Sequence, residues 1–260
     1  FEAGVKPCYV FDGEPPELKS ETLEEREERK EEAEEAYEEA KKRGDEAEML
    51  KHAQRATRIE APQVESSVEL LEALNVPWLE APGEGEAQAA HMSVEGDVDY
   101  VGSQDYDALL FGAPELVRNL TVRGRGDREL TPEVLSLDDT LSSLGLSREQ
   151  LVEVAILVGT DYNEGVHGIG PKTALETVRD GKFEETVEEN GVDHGFVESI
   201  KSVYLEPEVT DDYAVEWDSP DADDVVDILC DGYDFSEDRV TKAVGRIEDS
   251  VTQSSLDRWS

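Results

Sequence analysis

Cations are scarce in this sequence, with 24 lysines and arginines against 65 aspartates and glutamates and a formal net charge of −41. A balance of that sign excludes general attraction of a polyanion to the surface, so any polyanion must meet a local cationic face. Cysteine is nearly absent: Cys8 and Cys230 share no close spacing, which argues against a disulfide framework or a zinc site and for two small core residues. No apolar run reaches membrane-spanning length and no signal peptide is visible, so the expectation is a soluble, intracellular (cytoplasmic) protein. The acidic excess is spread along the chain rather than gathered in one tail. Apolar segments and Gly/Pro punctuation recur to the end, which argues against disorder. An acid-coated folded surface of the halophilic kind fits better, because molar salt screens charges beyond about 3 Å. At low salt the same coat is expected to weaken the fold.

The length allows one large domain or two small ones with a real core. Residues 7–12 read as a buried strand stopped by Gly13 and Pro15-Pro16. The chain thus starts almost inside a core strand, and an N-terminally incomplete domain is expected. Residues 17–60 read as two charged helices broken near Gly44, with a thin apolar stripe. An amphipathic helix is predicted over 62–74, a short strand at 76–79, a helix near 84–92, and strand, loop and short helix over 102–111. A strand pair is predicted at 116–122 and 128–130, then helices at about 138–144, 147–158, after Pro171, 182–189 and 194–204. From about 247 the chain is expected to be a flexible tail. The alternation predicts an α/β fold, a central mostly parallel sheet flanked by helices, with a mainly helical second half.

Six acids stand in flanks where acids are out of place. Asp12 ends Cys8-Tyr9-Val10-Phe11; Glu84 and Glu86 sit in a glycine-rich turn opening a helix; Asp105 and Asp107 follow a strand; Asp161 ends Ala155-Ile156-Leu157-Val158-Gly159-Thr160. Carboxylates gathered at element ends repel one another unless divalent cations neutralise them, which points to a metal site and to phosphodiester hydrolysis. Alternatives stay open for each pair: an acidic helix cap for Glu84 and Glu86, an Asx-type cap for Asp105 and Asp107. Gly168-Ile169-Gly170-Pro171-Lys172 opens a helix with exposed N–H groups and a cation, suited to a phosphate backbone or to a plain inter-helix turn. Lys19 and Arg26, seven residues apart, share a helical face and could polarise a phosphate or make surface ion pairs. Arg118, Arg123, Arg125 and Arg128 form the one arginine-rich patch, a DNA-backbone contact or a solvated hairpin. His167 has no second histidine nearby and is not read as a metal ligand.

Taken together these blocks resemble the archaeal flap endonucleases among the XPG-type structure-specific 5′ nucleases. The resemblance rests on Tyr-Val-Phe-Asp-Gly at 9–13, Pro-Pro-x-Leu-Lys at 15–19, Ala-Pro-Gly-Glu-Gly-Glu-Ala at 81–87 and Asp-Tyr-Asp at 105–107. It continues with Leu-Val-Gly-Thr-Asp-Tyr at 157–162, Gly-Ile-Gly-Pro-Lys at 168–172 and Leu-Glu-Pro-Glu-Val at 205–209. It implies a PIN-like 5′-nuclease domain over 1–246 whose first strand, additional metal-binding Asp and DNA-bending wedge have no counterpart here. It implies that Asp12, Glu84, Glu86, Asp105, Asp107 and Asp161 bind two Mg²⁺ ions and that Lys19 and Arg26 are gateway cations acting on the scissile phosphate. Residues 17–60 would be the gateway and cap. Gly168, Gly170 and Lys172 would contact duplex DNA in a helix–two-turn–helix region at about 150–180. A K⁺ ion is common in that turn; Gly165 stands where the family often has a hydroxyl, which leaves the ion to backbone carbonyls. The tail resembles a sliding-clamp (PCNA) box through Gln253, Leu256 and Trp259, weakened by Ser260 in place of the final aromatic. The implied activity is Mg²⁺-dependent flap and 5′–3′ exonucleolytic cleavage of branched DNA by a monomer, in replication and repair; the alternative is a non-catalytic DNA-binding or clamp-tethered fragment.

Overall fold

The computed structural model describes residues 4–14, 16–19, 43, 61–120 and 131–257. In chain order these form β1 (Tyr9–Phe11), a 3-10 turn (Glu17–Lys19), α1 (Ala61–Ala73), β2 (Trp78–Glu80), α2 (Gly85–Glu95), β3 (Val101–Gly102) and α3 (Asp107–Leu110). Then come β4 (Glu115–Arg118), β5 (Glu133–Ser136), α4 (Leu137–Leu144), α5 (Arg148–Val158), α6 (Pro171–Arg179), α7 (Phe183–Glu189) and α8 (His194–Leu205). The chain closes with α9 (Ala222–Val226), a π-helical turn (Asp227–Asp231) and α10 (Glu237–Asp257). The α/β expectation is met by small sheets in a helix-rich fold. Most of the predicted gateway and cap segment lies outside the described residues. None of the helices described is long and apolar enough to cross a membrane.

Two compact units divide the chain, the first made of Phe1–Phe11, Thr57–Glu80 and Asp211–Ser260, the second of Asp12–Ala56 and Ala81–Thr210. In the first, β1 and β2 pair in parallel, Tyr9 to Trp78 through Phe11 to Glu80. Phe11 meets Trp78 edge to face at 6.1 Å, and the Trp217 indole donates to the Pro7 carbonyl at 2.7 Å. Ala73 of α1, Val225 of α9 and Val240 and Val244 of α10 form its buried cluster. The expected tail from 247 is overturned, because α10 runs on to Asp257. Val240, Val244, Ile247 and Val251 recur at spacings of four, three and four, the period of a helix with one buried stripe. Val240, Val244 and Val251 are all buried.

In the second unit β3 pairs with β4 in parallel and β4 with β5 antiparallel. The partner of β4 is thus Glu133–Ser136 rather than the predicted 128–130. Pro132 has no N–H to give a ladder and stands just before that strand, with Val134 and Leu135 following. The core is built from the fully buried Leu116, Val152, Ile156, Leu157, Val178, Val187, Val197 and Ile200, closed by Tyr204. Tyr204 packs on Phe111 at 4.9 Å and edge-on to Tyr162 at 5.4 Å. Ser147 and Gln150 start α5 with a reciprocal capping box. One residue later, Arg148 donates to the carbonyls of Phe111 (2.8 Å) and Leu205 (3.1 Å), joining two element ends.

Candidate metal centre

Three of the six singled-out acids converge. Asp12, Glu84 and Glu86 each place an oxygen within 4.8 Å of the other two. Their approach depends on backbone passing close to backbone. Gly13 donates to the Gly83 carbonyl at 2.8 Å, and a Cβ on Gly13 would lie 1.8 Å from the Ala81 carbonyl oxygen. Only glycine tolerates that approach, and it sets Asp12 against the start of α2. There Asp12 Oδ1 accepts from the Gly85 N–H at 2.8 Å. The acid capping α2 is therefore Asp12, reaching in from elsewhere in the chain. Glu84, although it occupies the cap position, makes no side-chain cap bond, which sets aside the capping alternative for it. Its carboxylate is held instead by Lys19 Nζ at 3.0 and 2.9 Å.

Asp105, Asp107 and Asp161 stand outside that trio but act on it. The loop after β3 is ordered by its own side chains: Ser103 Oγ accepts from the Asp105 N–H at 3.1 Å and donates to Glu86 Oε1 at 3.2 Å. Asp105 Oδ1 accepts from the Asp107 N–H at 3.3 Å, a local Asx turn, while the cap position of α3 is Tyr106 and carries no side-chain cap bond, so the helix-cap alternative is not what the loop adopts. Asp107 Oδ2 accepts from the Tyr204 hydroxyl at 3.0 Å. Asp161 sits in a turn closed by Thr160 and Asn163, whose side chains meet at 2.8 Å, with Asn163 also donating to the Ile156 carbonyl at the end of α5. Its Oδ2 lies 3.5 Å from Lys19 Nζ.

The electrostatics are those of crowded, half-buried anions. Burial first, then the neighbouring charge of Asp105, pushes the Asp107 carboxyl up to about 6; the Tyr204 hydrogen bond works against the rise, and Asp161 and Glu86 add to it. Glu86 is also raised, by burial and by the charges of Asp12 and Asp105, against the relief of its backbone and Ser103 bonds. For Lys19 burial alone lowers the value, but Glu84, Asp161 and Asp12 more than offset it and leave it above the ordinary lysine range. Burial and the charges of Glu84 and Asp107 hold the Tyr162 hydroxyl protonated; burial and Asp107 do the same for Tyr204. Mutual repulsion that one lysine only partly answers is what a divalent cation would relieve, and Asp12, Glu84 and Glu86 could hold one. Ser103, Tyr162, Thr160, Asn163 and Tyr204 belong to this site and were not anticipated. Tyr204 lies 97 positions from Asp107, and the Leu-Glu-Pro-Glu-Val motif at 205–209 begins one residue after it.

Arg26, Arg123, Arg125, Arg128 and Trp259 lie outside the described residues, and of Gln253 and Leu256 only the helical backbone of α10 is described. Arg118 of the arginine patch is turned to its own unit, as described below. Gly168, Gly170 and Lys172 lie together on an exposed turn, with Pro171 as the first residue of α6. Gly165 has φ +79°, and a Cβ there would fall 2.4 Å from the Val158 carbonyl group, so this backbone has no room for a side chain.

The chain's likenesses to known proteins converge on one family. The XPG N-terminal domain matches residues 1–33 and the XPG I-region residues 75–161. Flap endonuclease 1 of Methanoculleus marisnigri is 49% identical over 264 residues, spanning 100% of this chain and 79% of that protein. The Pyrococcus furiosus flap endonuclease 1 is 47% identical over 272 residues, again spanning 100% of this chain and 79% of its own length. Among solved structures, flap endonuclease-1 from Methanococcus jannaschii matches with a TM-score of 0.74 and 42% identity over 96% of this chain and 77% of that one. The catalytic core of Rad2 in complex with DNA shares the fold, with a TM-score of 0.69 at 23% identity over 94% of this chain and 79% of that one. Identity of this order along the whole chain, on the same α/β nuclease fold, makes the chain a member of the flap endonuclease 1 family, structure-specific nucleases that hydrolyse phosphodiester bonds.

Proposed function

We propose that Asp12, Glu84, Glu86, Asp105, Asp107 and Asp161 hold a pair of Mg²⁺ ions that serve cleavage of DNA near the junction of a 5′ flap and duplex. The observation that carries this reading is the convergence of the Asp12, Glu84 and Glu86 oxygens within 4.8 Å, with Asp105 and Asp107 close enough to interact with Glu86, and Asp161 with Asp107. Bound there, divalent cations supply Lewis acidity toward a phosphate oxygen and a water activated at neutral pH. The chain's own residues do the rest. Asp12 is fixed by the Gly85 N–H, Glu86 by Ser103 and Asp107 by Tyr204, so three carboxylates are held in one orientation before substrate arrives. Lys19, now between Glu84 and Asp161, is placed to turn toward a phosphate oxygen, and Arg26 is its partner in that role.

Gly168, Gly170 and Lys172 bind the duplex backbone without reading bases, with a K⁺ ion held by carbonyls of the same turn. Gln253, Leu256 and Trp259 form a clamp-binding segment of reduced strength, because Ser260 replaces an aromatic anchor. The protein acts as a monomer on branched DNA under high salt, where the acidic coat is screened.

Neutralising Asp161 as Asn tests the site. Cleavage of a labelled 5′ flap is expected to fall by about a thousandfold or more while flap binding in Ca²⁺ is kept; full cleavage by that variant removes Asp161 from the chemistry. Acidity gives a second test. With the Asp107 carboxyl raised to about 6, a proton competes with metal below that pH, so metal affinity weakens as pH falls through 6. The sign for the metal-free fold is opposite: this group's contribution to stability is present below the ordinary carboxylate range and lost as pH rises through about 6. Thermal melts of Asp107→Asn against the parent over pH 4 to 8, without metal, check it.

A further inference from the structure

The acid loop between β3 and α3 is braced from outside by Arg118, which the sequence groups with the arginines of a DNA-contact or solvated patch. Gln104, Asp105 and Tyr106 are all exposed, so burial does not hold the middle of this loop. Its internal bonds, from Ser103 and Asp105, tie it to itself and to Glu86. Arg118, at the end of β4, supplies the link to a rigid element. Its Nε donates to the Gln104 carbonyl at 3.1 Å. Its guanidinium lies over the Tyr106 ring at 4.0 Å, and its Nη1 meets the Tyr106 hydroxyl. Behind it, Glu133 of β5 faces Nη1 at 3.9 Å. β4 is paired on both sides, with β3 and β5, so the guanidinium is mounted on the central strand of that sheet.

We infer that Arg118 is a positioning residue for the metal centre: by clamping Gln104 and Tyr106 from β4 it fixes the direction in which Asp105 and Asp107 present their oxygens. Three features carry this. The contacts fall on the two residues that flank Asp105, one of them also preceding Asp107. They combine a charge-assisted hydrogen bond with ring stacking, which only a planar guanidinium supplies at once. They also engage both Nε and Nη1 within this unit, with Glu133 as a further ionic partner of Nη1. Outer partners that orient ligands change metal affinity by about 10–100-fold when removed, whereas a half-exposed loop contact adds little to global stability.

The inference rests on reading Asp105 and Asp107 as metal-holding groups, and the experiment separates the two. Mg²⁺ binding to the DNA-free protein is measured by titration calorimetry for the parent, Arg118→Met, Tyr106→Leu, Tyr106→Phe, Asp105→Asn and Asp107→Asn, together with amide hydrogen exchange over 103–108 and flap affinity in Ca²⁺. Arg118→Met is expected to weaken Mg²⁺ binding by about tenfold and to speed exchange at Asp105 and Asp107, with flap affinity unchanged. Tyr106→Leu should reproduce that loss, Tyr106→Phe should keep most of the parent's affinity because the stack survives, and the Arg118→Met/Tyr106→Leu pair should lose no more than either alone. Should Arg118→Met fail to fold, Tyr106→Leu carries the same test. Parental Mg²⁺ binding and exchange in Arg118→Met and Tyr106→Leu, beside weakened binding in Asp105→Asn, overturns the clamp alone. Parental binding in both Asp105→Asn and Asp107→Asn overturns the metal reading itself. A loss of flap affinity with Mg²⁺ binding intact makes Arg118 a DNA contact and also overturns the clamp.

Discussion

Gly165 and Gly170 stand five residues apart in one stretch of chain, and they are glycines for opposite reasons. At Gly165 the backbone has φ +79° and a Cβ would fall 2.4 Å from the carbonyl group of Val158. The residue is crowded from within, and its size is set by the end of α5 folding back on the turn. At Gly170 φ is −93°, a value any residue adopts, and no atom lies within 4 Å of where a Cβ would be. Nothing inside the protein asks for glycine there. Space left open in front of the first N–H groups of α6 is space for something from outside to approach. The difference teaches that a glycine-rich motif mixes residues that keep the fold with residues that keep a surface clear, and that sterics tell them apart.

Alanine substitutions break or sharpen that contrast. The largest effect is expected at Gly165→Ala, a loss of about 3 kcal/mol or more, since both strain and a backbone collision oppose it; denaturant melts measure it, and a near-neutral result would erase the distinction. Gly170→Ala should change stability by less than about 1 kcal/mol yet weaken duplex affinity by about tenfold, the scale of one hydrogen bond to a charged group; fluorescence anisotropy on duplex DNA reads it. Smallest is Lys172→Met, expected to leave stability alone and lower the slope of log affinity against log salt by about one.

Much of the centre was legible because its acids stood against apolar or glycine-rich flanks. Asp12 after Phe11 and the Glu84 and Glu86 pair in a glycine-rich turn stand out on that ground, and they converge. The residues that orient them were not. Tyr204 looks like any core aromatic of α8, and its bond to Asp107 depends on tertiary packing that no local pattern encodes. Arg118 belonged to a run of arginines and was read with them, although its strand turns it onto Tyr106. In the fold, α5 through α8 were readable from caps and 3.6-residue periodicity. α10 was hidden because acids and small polar residues fill the three faces around its valine stripe, diluting the apolar signal. β5 is hard to place from sequence because strand propensity is weak over four residues, although Pro132 marks a stop just before it.

Gly112 has φ +97°, and a Cβ on it would lie 2.2 Å from Nη1 of Arg148, the residue that ties Phe111 to Leu205. Positions 112 and 148 are therefore sterically coupled. A lineage that acquires a side chain at 112 meets left-handed backbone strain and must swing this guanidinium aside, and with it the donor serving two main-chain oxygens, so change at one position is expected to be felt at the other.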